Sequence, residues 1–451
     1  MAELSAVHHV QPVHHRLAAV VIVPGSKSIA NRALICATLA GGESVLHNVP
    51  GGDDTAAMLD CVALLGAGVA PDPHDPSIVR VHGTAGRLHD GPLTLSTRLA
   101  GTTSRFITAL CALGPGHYLV DGDAPLRGRP MAPLHDALVA LGAGIVAGET
   151  WGHLPVTVTG VGSPAGDRVV PSGSPATVAV RGDVSSQYIT ALMLIAPYLP
   201  GGLRIELTTP LISRPYLAIT AAVMASFGVD AVEVGASHVA VGQGRYVART
   251  YAIEPDASTA SYPLAAAAIC GGWVRVEGLG PDALQGDAGF ADVLAEMGCA
   301  VHRDASGTTV ERNGPLLGIS IDMADLSDLV PTLAVIAPFA TTPTEIGGVG
   351  FIRAKESDRL GDLAHELRKC GIDVIEREDG LRIEPGFGAG AGVDTHHDHR
   401  LAMSFGVLGL RLGGMRVHDP DVVSKSWPDF WPALEGIRVG NGSPDSVEDV
   451  L

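Results

Sequence analysis

Five glycines recur at nearly even intervals along the chain, each at the end of a helical pattern. Gly66, Gly142, Gly228, Gly298 and Gly371 are separated by 76, 86, 70 and 73 residues. The segments before them, such as MLDCVALLG, LHDALVALG, FADVLAEMG and LAHELRKCG, place apolar residues on one helical face and polar residues on the other. A glycine there suits a helix C-terminus, where a left-handed residue ends the last turn. A strand-like run follows each one. FWPALEGIRV is a weaker sixth copy. Local propensity does not generate such spacing, so the chain is expected to be a structural repeat.

Each repeat holds a second, more apolar helix with a polar start. These are SKSIANRALICATLA, AGTTSRFITALCALG, SSQYITALMLIAPYL, DASTASYPLAAAAI, SDLVPTLAVIAPFA and DHRLAMSFGVLGL. Ser, Thr and Asp at helix starts cap free backbone N–H groups. The bodies are apolar enough to be buried on nearly all sides. The expectation is six units of strand, buried helix, strand and amphipathic helix, packed as two three-fold α/β domains. If the buried helices of one domain point their N-termini the same way, their positive ends converge and favour anions.

The chain has 451 residues and a net charge of −18, which argues against nonspecific nucleic-acid binding and against anionic membranes. Apolar residues are 46% and aromatic residues 4%, so Ala, Val, Leu and Gly must build the core. No apolar run is long enough to span a bilayer. No basic segment followed by an apolar core opens the sequence, so no secretion signal is expected. Six cysteines, none in a C-x-x-C pair, read as buried free thiols in a reducing compartment.

Against this acidic background, basic residues cluster in turns and helix starts. They are Lys27, Arg32, Arg105, Arg129, Lys355, Arg359, Arg400 and Lys425. A solvated surface charge is the simple reading of each. As a set they fit phosphate and carboxylate recognition. VPGSKS lacks the spacing of a phosphate-binding Walker loop, and no G-x-G-x-x-G follows a strand. THHDH resembles a metal cluster only in composition, since adjacent residues rarely face one ion, and no metal is expected. The N-terminal pairs His8–His9 and His14–His15 are expected to be solvated.

The motifs PGSKSIANRAL, LAGTTSRF, GRPM, SSQ, ISRPY, AKESDRL, DHRLAM and SKSWPDF follow one another as in the 5-enolpyruvylshikimate-3-phosphate synthase family. The chain resembles that family from about Val20 to Phe430. The resemblance implies two similar domains, each of three βαβαββ repeats around buried parallel helices, the inside-out α/β barrel of enolpyruvyl transferases. One domain would comprise 1–25 and 256–451, the other 26–255, with the active site in the cleft between them. It implies transfer of the enolpyruvyl group of phosphoenolpyruvate to the 5-hydroxyl of shikimate 3-phosphate, with release of phosphate. That is a step of chorismate and aromatic amino-acid biosynthesis by the shikimate pathway. No cofactor, metal, nucleic acid or membrane is implied, and a cytoplasmic monomer is expected.

Site residues follow motif by motif. The resemblance assigns shikimate 3-phosphate to Lys27, Ser28, Arg32, Ser185, Ser186, Gln187, Ser213, Asp328 and Lys355. It assigns phosphoenolpyruvate to Lys27, Gly101, Arg129, Gln187, Arg359, Arg400 and Lys425. Asp328 would accept the proton of the 5-hydroxyl and Glu356 would supply one to the methylene carbon, with Lys27 beside the reaction. Leu99, Phe106 and Phe351 stand where many members have Asn, Pro and Asn. The alternatives are the sister transferase acting on UDP-N-acetylglucosamine and a non-catalytic anion-binding protein of the same fold.

Overall fold

The structure, a computed structural model, describes residues 6–161 and 175–442. The chain divides into two compact units. One is Gly25–Ile253; the other combines Met1–Pro24 with Glu254–Leu451.

The Gly25–Ile253 unit contains three four-stranded sheets of one design. In the first, Gly41–His47 runs parallel to Thr250–Ala252 and antiparallel to Val79–Thr84, which pairs in turn with Gly68–Pro71. Leu93–Ser96, His117–Asp121, Val156–Thr159 and Gly144–Ala147 repeat that order. So do Ala176–Val180, Leu203–Leu207, His238–Val241 and Val232–Val234. A buried helix leads into Gly41–His47, His117–Asp121 and Leu203–Leu207; in the second and third sheets it makes the crossover that a parallel pair needs, whereas the first sheet takes its parallel strand from the end of the unit. These helices are Lys27–Leu39, Gly101–Cys111 and Ser186–Ile195. An outer helix then leads to the closing hairpin. The repeat is therefore βαβαββ, two strands longer than periodicity alone suggests.

The two helix classes differ as their sequences require. Lys27–Leu39 is buried from Ile29 to Leu39 without a break. Its outer partner Asp53–Leu64 buries Asp54, Thr55, Ala57, Met58, Cys61 and Val62, a single stripe. Some hydroxyls inside the buried class bond to their own helix, as Thr108 Oγ1 does to the Ser104 carbonyl at 2.7 Å.

In the other unit, Gly272–Glu277 runs parallel to Leu17–Val21 and pairs antiparallel with Gly307–Arg312, which also pairs with Ala300–Asp304. Ser320–Asp322, Thr344–Gly347, Gly380–Ile383 and Val374–Arg377 form the second sheet. The third differs. Arg416–His418 pairs with Gly392–Val393 and with Val7–His9, a strand from the start of the chain. The helices Ala257–Cys270, Val330–Ile336 and His399–Gly409 are buried at every residue.

All five repeat glycines have positive φ, from 72° at Gly371 to 112° at Gly66, so each ends its helix in the left-handed region. All six cysteines are buried and unbridged. Among the described residues no helix is long and apolar enough to cross a membrane.

Candidate active site

Some candidate residues lie in the N-terminal turns of the buried helices, and the others lie further along those helices or in the connections between elements. In the Gly25–Ile253 unit, Lys27 opens the first helix and Gly101 the second, and Ser185 caps the third. Gln187 Nε2 donates to Thr102 Oγ1 at 3.2 Å, joining the third start to the second. Lys27 Nζ lies 2.8 Å from Asp54 Oδ2. The Asp54 carbonyl accepts from Thr103 Oγ1 at 3.1 Å, which joins the first start to the second. Ser185 Oγ accepts from the Gln187 amide at 3.3 Å, so it serves as a cap. Ser28 and Ser186 occupy the same first turns. Ser213 is buried in the turn before Pro215–Ser226, with φ of 53°, a conformation that costs a serine energy.

Arg32 is 2% exposed and acts largely as an internal tie. Its Nε donates to Thr220 Oγ1 at 2.8 Å and its Nη1 to the Ser28 carbonyl at 2.6 Å. Its Nη2 lies 3.3 Å from the Tyr216 carbonyl and 3.4 Å from Thr190 Oγ1. Burial pushes its pKa down to about 10. The Phe106 ring lies 5.6 Å from its Cζ. Phe106 thus packs against a cation of the site.

Arg105 and Arg129 flank Gly101 closely. A methyl on Gly101 would stand 2.6 Å from Arg129 Nη1 and 2.8 Å from Arg105 Nη1. Arg105 Nη2 donates to the Pro130 carbonyl at 3.1 Å, beside Arg129.

The other unit carries a denser network. Asp328 lies in the turn before Val330–Ile336. Its Oδ1 accepts from Lys355 Nζ and Arg359 Nη1, both at 2.9 Å. Its Oδ2 accepts from Arg400 Nη2 at 2.8 Å. Burial alone would raise the Asp328 pKa, but Arg400, Lys355 and Arg359 outweigh it and hold the carboxyl well below its usual range. Glu356 Oε2 takes Arg359 Nη2 at 2.8 Å, and its Oε1 takes Lys425 Nζ at 3.1 Å. Arg359 is 1% exposed and also donates through Nε to Asp398 Oδ2 at 2.6 Å. Burial disfavours its charge; Asp398, Glu356 and Asp328 more than restore it, so its pKa is raised.

Two further carboxylates, one in each unit, have no role assigned from the sequence motifs. Asp54 holds Lys27. Asp398 caps His399–Gly409 through the Arg400 amide at 2.9 Å while pairing with Arg359. A signal existed for Asp398, since an Asp immediately before an apolar helical run is a cap candidate. Nothing local marks Asp54 as the partner of Lys27. Phe351 lies under Lys355, whose Nζ is 6.0 Å from the ring centroid.

The histidines of THHDH do not face one point. His396 meets Glu366, His397 meets Asp419, and His399 is buried beside Asp398. Among the described residues no three His, Cys, Asp or Glu side chains are placed to hold a metal ion.

A profile of the family described as EPSP synthase (3-phosphoshikimate 1-carboxyvinyltransferase) matches residues 12–434. A 3-phosphoshikimate 1-carboxyvinyltransferase of Nostoc punctiforme is 40% identical over 414 residues, covering 92% of this chain and 95% of the relative. Its counterpart from Syntrophobacter fumaroxidans is 39% identical over 419 residues, 92% of this chain and 96% of that one. Among solved structures, EPSP synthase from Acinetobacter baumannii superposes with a TM-score of 0.79 at 25% identity, covering 96% of this chain and 98% of that one. The enolpyruvyl transferase NikO from Streptomyces tendae shares the fold, with a TM-score of 0.69 at 18% identity over 95% and 96% of the two chains. By sequence over nearly its whole length and by fold, this chain belongs to the EPSP synthase (3-phosphoshikimate 1-carboxyvinyltransferase) family.

Proposed function

We propose that the chain transfers the enolpyruvyl group of phosphoenolpyruvate to the 5-hydroxyl of shikimate 3-phosphate, releasing phosphate. The observation that carries this reading is the surplus of buried and half-buried cations over the carboxylates they meet. Lys355, Arg359, Arg400 and Lys425 outnumber Asp328, Glu356 and Asp398, with which they pair. In the other unit Lys27 meets Asp54, Arg105 and Arg129 flank Gly101, and Arg32 is buried in the first helix. Two polyanionic substrates supply the charge such a set demands. The 5-hydroxyl oxygen adds to the enol carbon while a proton adds to the methylene carbon. The tetrahedral adduct then loses a methyl proton and phosphate.

Lys27, Ser28, Arg32, Ser185, Ser186, Gln187, Ser213, Asp328 and Lys355 are assigned to shikimate 3-phosphate. Lys27, Gly101, Arg129, Gln187, Arg359, Arg400 and Lys425 are assigned to phosphoenolpyruvate. Asp328 is the acceptor of the hydroxyl proton. Three cations make it a weak base in the ligand-free state. An anion that draws Arg359, Arg400 and Lys355 toward itself strengthens that base at the moment of need. Glu356 is the donor to the methylene carbon. Both of its oxygens are occupied, by Arg359 and Lys425, so a proton requires one of them to turn to substrate. The protein is further read as a cytoplasmic monomer.

Phosphate release from purified protein tests the reaction. Turnover is expected with phosphoenolpyruvate plus shikimate 3-phosphate, none with UDP-N-acetylglucosamine, and loss of at least about a hundredfold in Lys27→Ala and Glu356→Gln. No release with shikimate 3-phosphate rejects the reading.

A further inference from the structure

THHDH is the motif that the reaction above leaves unused. His396 and His397 have φ of 50° and 57°, two consecutive non-glycine residues in the left-handed region. Such a residue is strained and persists only where neighbours impose it. The neighbour here is Glu366, on the outer helix Gly361–Lys369, a fully buried carboxylate. Its Oε1 lies 2.8 Å from His396 Nε2, and its Oε2 accepts from the Asp394 amide at 3.1 Å. Lys369 Nζ, 2.8 Å from Oε2, balances its charge. Asp362 Oδ1 faces the other ring nitrogen of His396 at 3.6 Å. Glu366 therefore grips the chain on both sides of Thr395.

The gripped turn leads directly into the site. The Thr395 carbonyl accepts from the Asp398 amide at 2.8 Å. Asp398 then holds Arg359 Nε at 2.6 Å and the Arg400 amide at 2.9 Å. Arg359 and Arg400 both continue to Asp328.

We propose that His396, anchored on Glu366, is a positioning residue that fixes Asp398 and thereby aims the Arg359 and Arg400 guanidinium groups at the anionic donor substrate. The inference rests on the assignment of those two arginines to phosphoenolpyruvate. A histidine serving only stability would lower the amount of folded protein without distinguishing between substrates. The anchor instead acts on one substrate's binders.

The test compares two substitutions of equal polarity and different reach. His396→Asn keeps a residue that tolerates the left-handed region but is too short to meet Glu366. His396→Gln keeps a donor at about the reach of Nε2. The Asn variant should raise KM for phosphoenolpyruvate about tenfold and leave KM for shikimate 3-phosphate within about twofold. The Gln variant should stay near wild type. Glu366→Leu, which removes both grips on the turn, should likewise raise KM for phosphoenolpyruvate and not KM for shikimate 3-phosphate. Hydrogen–deuterium exchange of the peptide spanning residues 394–402 gives a readout independent of turnover. It should accelerate in His396→Asn while the rest of the chain is unchanged. Equal changes in both KM values, or unaltered exchange at 394–402, overturns the anchor. A wild-type protein inactive on both substrates with that local acceleration intact rejects the reaction and keeps the anchor.

Discussion

Gly101 shows what a single absent side chain does for this site. The atoms a methyl would meet are the tips of Arg129 and Arg105, not backbone. Flexible tips can move, so Gly101→Ala should fold with stability within about 1 kcal/mol of wild type. Displacing Arg129 would move a cation that the proposed function assigns to phosphoenolpyruvate. KM for phosphoenolpyruvate should rise at least about tenfold, with KM for shikimate 3-phosphate little changed. Steady-state kinetics with each substrate varied separately checks this, and an unchanged KM for phosphoenolpyruvate refutes the placement. Most cations of the candidate site were legible in the sequence because they stand out in an acidic chain, in turns and at helix starts. Two of their internal partners were not. Asp54 meets Lys27 from 27 residues away and Asp398 meets Arg359 from 39. Only folding brings such pairs together, so no local pattern records them.

At the scale of elements, the buried helix Ala257–Cys270 carries a further carboxyl at its start. Asp287 is 7% exposed and bonded to Ser258 Oγ. Burial raises its pKa from the ordinary 3.8 to about 7, with Asp328 adding to the rise and Ser258 and Arg400 opposing it. A folded-state pKa above the unfolded value means that the folded chain holds the proton more tightly. The stability this provides is complete below the unfolded value near 4 and is lost as pH rises through about 7. Asp328, depressed instead, works the other way and at lower pH: its contribution stands above the unfolded value and is lost in acid. Asp287→Asn keeps an acceptor for Ser258 and removes the ionisation. Its unfolding free energy, measured by urea denaturation, should gain on wild type between pH 4 and pH 8, by a few kcal/mol at most. A difference constant across that range excludes the linkage. The helices themselves were readable, because their periodicity and terminal glycines are local. The closing hairpins were not read from periodicity, since strands as short as Val232–Val234 are too brief to show alternation.

For the whole molecule, topology decides what can fold alone. The Gly25–Ile253 unit is continuous in sequence, and its first sheet is completed by its own last strand, Thr250–Ala252. Its three buried helices pack on each other through Arg32, Thr190 and Gln187, all within the same segment. The other unit needs both ends of the chain. Leu17–Val21 fills the parallel edge beside Gly272–Glu277, and Val7–His9 supplies the antiparallel strand that the sixth repeat lacks. The sequence pattern hinted at this asymmetry, since the sixth copy was the weakest, but a strand borrowed from some 400 residues away leaves no mark at the place it fills. A fragment of residues 25–253 should therefore fold cooperatively on its own. A fragment of residues 254–451 should not, because its first sheet would lose an edge strand and its third would keep only two short strands, fewer than a sheet needs for stability. Adding a peptide of residues 6–24 should restore cooperative unfolding to the second fragment. Circular dichroism during urea titration distinguishes these outcomes. Independent cooperative unfolding of 254–451 without the peptide would show that the borrowed strands decorate that unit rather than complete it.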